Sequence, residues 1–212
     1  MAKKTVKAEG DTAVKELSRE LKRLITDIFG NCSETDGMFR TVADGLGVVN
    51  SQVIVDAALE GGTDEDDPFS LLHFVATIAE NIPDAALPDL RISLNDLNHE
   101  VSCGAYPGFG TFCYYEPLNQ IYLSYRLPVS FKDLKTQYGN IRFYLTGLYD
   151  QLDLFVDYIM FAIASPGSVS ITDYMSYLDK VQDPDDTEER MDAFLESFGE
   201  LLEDKEAVGD KE

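Results

Sequence analysis

The side chains able to do chemistry are few and scattered. His73 and His99 are the only histidines, and each lies inside an apolar-periodic segment. No Gly-x-Ser-x-Gly, P-loop or Gly-x-Gly-x-x-Gly pattern occurs. No Ser, His and acid stand in a recognisable order, although such groups assemble in space rather than in sequence. His99 and Cys103, with Cys113 further on, offer soft ligands, but a structural zinc site takes four ligands in paired short spacings. Reduced thiols acting as small apolar groups explain them better. The run Asp64-Glu65-Asp66-Asp67 has a composition that hard cations choose. It lacks the alternating ligands, central glycine and closing glutamate of a calcium loop, so a solvated turn is expected. The chain therefore reads as non-enzymatic, with no metal and no cofactor; an enzyme with a metal on Asp64, Asp66 and Asp67 is the lesser alternative.

The residues better suited to binding are amides and aromatics. Asn95 and Asn98 lie three apart on a predicted helix and project from neighbouring positions. Each amide carries donors and an acceptor, for a peptide backbone or, preferably, for tying the helix to an adjacent strand. Tyr114, Tyr115, Tyr122 and Tyr125 concentrate on a predicted hairpin, and tyrosine suits interfaces because it buries area while keeping a polar handle. Neighbours in a strand point oppositely, so Tyr114 and Tyr115 cannot both face the core. Phe155, from a bulky third helix, completes the candidate interface.

Lys plus Arg total 17 against 39 Asp plus Glu in 212 residues, a formal charge of -22. Phosphate backbones need clustered cations, and the only basic cluster, Lys3, Lys4 and Lys7, is terminal. Nucleic acid and anionic membrane surfaces are poor partners; a protein or peptide client, a basic one favoured by the charge, is better. Three irregularly spaced cysteines do not form a secreted disulfide framework, and the first residues lack a signal-like apolar stretch. A cytoplasmic protein is expected. The long apolar region Ile141 to Ile163 carries Arg142, Asp150, Asp153 and Asp157, which exclude a membrane span.

The elements that must position these residues follow from periodicity. Residues 1–10 are expected to be disordered. Val14, Leu17, Leu21, Leu24, Ile25 and Ile28 then predict a helix from Asp11 to Phe29, closed by Gly30-Asn31. Met38 to Ala43, Val48 to Leu59 and Leu71 to Ile82 read as three antiparallel strands. Leu90, Leu94, Leu97 and Val101 predict a second helix ending at Gly104. Phe109 to Glu116 and Gln120 to Leu127 form a hairpin across Pro117-Leu118-Asn119, and Phe131 to Ala164 a long helix. That helix is apolar on nearly every side, so a sheet, another helix or another subunit must cover it. The class is α+β: an antiparallel sheet of about five strands packed with helices, in the order α-βββ-α-ββ-α, over residues 11–165. Residues 166–212 form an acidic helical extension, beginning with a helix from Ile171 to Val181. Within it Met191, Phe194, Leu195, Phe198, Leu201 and Leu202 make an amphipathic stripe, read as docking in cis as a lid or binding a partner helix.

That element order, with Leu94-Asn95-Asp96-Leu97-Asn98-His99-Glu100 on the second helix and a hairpin ending Ser124-Tyr125-Arg126-Leu127-Pro128, resembles the YbjN family, whose fold is similar to type III secretion chaperones. The resemblance covers about Asp11 to Ala164; the bulky third helix and the acidic extension depart from it. It implies a non-enzymatic, homodimeric protein-binding module of chaperone-like or regulatory kind. The alternative is a structural or assembly subunit whose third helix another protein covers.

Overall fold

The computed structural model describes residues 2–60, 69–130, 134–164 and 167–181, with the first helix's side chains described from Lys15 onward. The run Asp64 to Asp67 and the stripe from Met191 to Leu202 lie outside the described residues. Helix α1 spans Ala2–Phe29 and so takes in the residues before Asp11. Strands β1 (Ser33–Thr35), β2 (Met38–Leu46), β3 (Ser51–Glu60) and β4 (Phe69–Glu80) follow. Then come α2 (Leu87–Ser102), β5 (Thr111–Tyr115), a 3₁₀ turn at Glu116–Leu118, β6 (Gln120–Ser130), α3 (Leu134–Ala164) and α4 (Ile171–Val181).

The six strands form one antiparallel sheet in the order β1-β2-β3-β4-β6-β5. The α+β class and the order of the longer elements agree with the sequence. Strand β1 is additional to the five expected: it has three residues, all exposed, and so no burial alternation to betray it. Its one signal is Asp36-Gly37, both at positive φ (51° and 79°), a pair suited to a two-residue hairpin turn. Strand β6 continues through Pro128 to Ser130, where the sequence places a break. Strand β5 pairs only with Gln120 to Ser124, so Pro128 lies where β6 is an edge and proline's missing donor is tolerated.

The β2–β3 turn also moves. The sequence pattern ends the first predicted strand at Ala43, but Asp44-Gly45 is an irregularity within β2, between Ala43 and Leu46, and the chain reverses at residues 47–50 instead. Gly45 and Gly47 at φ 70° and 69° permit both bends.

The buried face of the sheet alternates as read from sequence. Val53, Val55 and Ala57 of β3 and Ile121, Leu123 and Leu127 of β6 face inward, with Phe39, Phe74 and Phe112 beside them. Leu17, Leu21, Leu24 and Ile25 of α1 and Leu90, Leu94 and Leu97 of α2 close over that face. Helix α3 lies in the middle of the helical layer, touching α1, α2, β2 and β6. Its stripe of Ile141, Leu145, Leu148, Leu152, Val156 and Ile159 is buried within the chain itself, as are Phe155, Tyr158 and Phe161. Much of its apolar girth is thus met in cis, while Phe143 and Met160 stay exposed. Each such side chain contributes about 1.5–3 kcal/mol when fully buried. None of the described helices is long and apolar enough to cross a membrane.

Candidate functional site

All the described helices lie on one side of the sheet. The opposite side is uncovered by any described residue, and its composition follows from strand register. One row across it runs Val42, Ile54, Thr77, Tyr122, Cys113; the next runs Arg40, Asp56, Val75, Ser124, Thr111; a third runs Met38, Ala58, His73, Arg126. Met38 is 44% exposed, Val42 43%, Ile54 42%, Leu71 38% and Tyr115 45%, a set of large apolar groups held in water by strands that cannot turn them inward. Val42 and Ile54 are direct neighbours and Tyr122 and Cys113 continue their row beyond Thr77, while polar and charged side chains make up most of the next row.

The charges on this face are already paired. Arg40 holds Asp56 in a bidentate contact, Nε to Oδ1 at 2.7 Å and Nη2 to Oδ2 at 2.8 Å. Arg126 Nη2 lies 3.8 Å from Glu60 Oε2, and His73 Nδ1 lies 2.9 Å from Glu60 Oε1. Against a chain carrying -22, this face is near neutrality. The expected attraction for basic partners therefore does not belong to its apolar surface.

The residues proposed from sequence separate into surface and framework. Tyr115 and Tyr122 belong to the open face, while Tyr114 points inward, its hydroxyl donating to Asn119 Oδ1 at 3.0 Å and its ring lying 5.3 Å from the Arg91 guanidinium carbon. The divergence of Tyr114 and Tyr115 is the one that strand alternation requires. Tyr125 faces the helical layer, stacked on Tyr144 at 5.7 Å within a group that includes Phe109 and Phe143. Phe155 is a correction: it is fully buried, edge-on to Tyr106 and Phe112, and belongs to the core. Its girdle position on α3 carries an aromatic because α2 and β5 close over it.

Asn98 is a framework residue of a specific kind. Its Nδ2 donates to Phe112 O at 2.8 Å and its Oδ1 accepts from Phe112 N at 2.9 Å. The side chain thus acts as a strand partner for the outer edge of β5. Asn95, by contrast, is exposed and lines a cavity of about 350 Å³ between α2 and the segment leading to α4, with Ile92, Asp96, His99 and Ser170. Asp96 Oδ2 accepts from Ile171 N at 3.2 Å and Ser170 Oγ from Asp173 N at 3.1 Å, so the first turn of α4 is already capped. The two asparagines share a helix but not a role.

Three polar groups missed by sequence reasoning pin the loops. Buried Gln151 accepts from Phe109 N and Gly110 N at 2.9 Å each and donates to Gly110 O at 3.0 Å. Asp153 Oδ1 accepts from Gly47 N at 2.8 Å and Asp157 Oδ2 from Val48 N at 2.6 Å, so α3 clasps the β2–β3 turn. Burial pushes the Asp157 carboxyl above the usual carboxylate range, against the pull of the Val48 and Val49 amides. A Cβ at Gly47 would collide with that carboxylate. The signal available in sequence was an acid or amide on an otherwise apolar helical stripe, which reads equally as a solvent-facing position.

His99 and Cys103 are neighbours, Sγ lying 3.7 Å from Nε2, but Cys113 points to the open face on the other side of the sheet. No group of three or more His, Cys, Asp or Glu suited to a metal occurs among the described residues. The three cysteines are free thiols; burial pushes those of Cys32 and Cys113 up. No family model matches the chain, and no curated protein or solved structure does so either.

Proposed function

We propose that this chain is a protein-binding module whose binding surface is the open face of its sheet, and that a second copy of the chain is the partner this surface fits. One observation carries the reading: the exposed apolar rows built on Val42, Ile54 and Met38 lie on a face with no covering element among the described residues. Net charge by itself opposes self-association, and the near-neutral, apolar character of this face is what offsets it. Two chains of -22 repel across most of their surfaces, and the internally paired Arg40–Asp56 and Arg126–Glu60 contacts make this face the place where they meet with least repulsion. Exposed ion pairs contribute little themselves, so association rests on the apolar rows.

Light scattering behind size exclusion tests this directly. The native chain is expected to run at twice the monomer mass at both low and high salt. Val42→Asp combined with Ile54→Lys is expected to give a folded monomer by circular dichroism, because both side chains are exposed in the single chain and the two new charges face each other with opposite sign. A native monomer, or a dimer indifferent to these substitutions, overturns the reading.

A further inference from the structure

The open face also assembles a group that no spacing in the sequence announces. Glu60 on β3, His73 on β4 and Ser124 on β6 lie on a diagonal across three strands, each two residues out of register with the next. His73 Nδ1 is 2.9 Å from Glu60 Oε1, and His73 Nε2 is 3.3 Å from Ser124 Oγ. An ionised Glu60 only accepts, so Nδ1 carries the imidazole proton and Nε2 presents its lone pair to the serine hydroxyl. The polarity is that of an acid orienting a base that activates a nucleophile. We propose that Ser124 is a nucleophile for acyl transfer, with His73 as its general base and Glu60 as the positioning residue that sets the His73 tautomer. This goes beyond the binding reading but uses the same face, which a second copy would cover. A covalent probe is therefore applied both to the native chain and to the monomeric variant at Val42 and Ile54: mass in solution tests one reading and a covalent adduct on the monomer the other.

The step balances without a co-reactant other than water. Ser124 Oγ bonds to the acyl carbon of an ester while its proton passes to His73 Nε2. The bond to the leaving oxygen breaks as Nε2 returns that proton to it. Water, deprotonated by the same nitrogen, then releases the acyl group as a carboxylic acid and restores Ser124. Arg126, next to His73 across the β4–β6 pair and two residues from Ser124, would have to give up its 3.8 Å contact with Glu60 to meet the developing oxyanion. Val75 lies opposite Ser124, and Leu71 is exposed on the same side, so apolar surface flanks the nucleophile. The overall charge repels anions, which points to neutral or cationic esters.

The His73 side chain is 22% exposed and that of Glu60 46% in the single chain, so a reagent reaches the group when the face is uncovered. The test is a fluorophosphonate probe on the full chain, followed by peptide mass spectrometry. Ser124 is expected to be modified about 100-fold faster than exposed Ser176, whose hydroxyl donates to Thr172 O at 2.9 Å. His73→Ala is expected to remove that advantage. Glu60→Gln, which favours the other tautomer, is expected to slow modification about tenfold and to move its pH profile, with the melting temperature unchanged. No adduct at Ser124 of the monomeric variant, or equal rates there with and without His73→Ala, overturns the proposal.

Discussion

Replacing Asp157 with alanine isolates how α3 holds the β2–β3 turn. Asp157 is 3% exposed, and its Oδ2 receives the Val48 amide at 2.6 Å while Oδ1 lies 3.5 Å from Ser51 Oγ. Alanine leaves the Val48 amide without an acceptor in a half-buried turn, a loss of about 1–3 kcal/mol. Taking about 2 kcal/mol, and about 2–4 °C per kcal/mol for a chain of this size, the melting temperature falls by about 4–8 °C. Asp157→Asn keeps an acceptor for Val48 and costs less. The two variants also separate the charge from the bond. Because burial holds the native carboxyl above its unfolded value, its contribution to stability is complete below the unfolded pKa and is lost as pH rises through the folded one. The native chain should therefore lose stability relative to Asp157→Asn as pH climbs from about 4 towards neutrality. Urea melts of the three proteins across that range measure both effects. An alanine cost below about 0.5 kcal/mol, or a native-minus-Asn difference that is flat or rises with pH, refutes the reasoning.

Two further substitutions test the framework. Asn98→Ala removes both bonds to Phe112 and exposes the edge of β5, with an expected loss of about 2 kcal/mol by urea denaturation and no change in the mass of the native assembly; a change in mass with unaltered stability would instead make Asn98 an interface residue. Thr41 is buried in β2 with a hydroxyl that has no hydrogen-bond partner among the described residues, so Thr41→Val is expected to raise stability by about 1 kcal/mol, and a loss in the same melts would show that the hydroxyl is satisfied.

Periodicity made much of the fold legible. Alternation in β3 and β6 and the spacing of Leu90, Leu94 and Leu97 identified the inward side chains, because burial repeats at two residues in a strand and near four in a helix. It also required Tyr114 and Tyr115 to diverge. It did not find β1, which has no buried side chain to mark it, and it read Phe155 as available surface because a girdling aromatic looks the same whether a neighbouring helix or water lies beside it.

The sequence by itself determined the α+β class, the inward faces of the strands, the structural bias of Asn98 and a charge unsuited to nucleic acid. Only the tertiary structure decided what covers α3, which way the sheet is left open and how Glu60, His73 and Ser124 meet. The reason is physical. Burial patterns are local and follow from backbone geometry, whereas the covering of a face, and contact between residues 60, 73 and 124, depend on which strands pair and in what register. A shift of one residue in β6 would turn Ser124 into the core and its apolar neighbours into water.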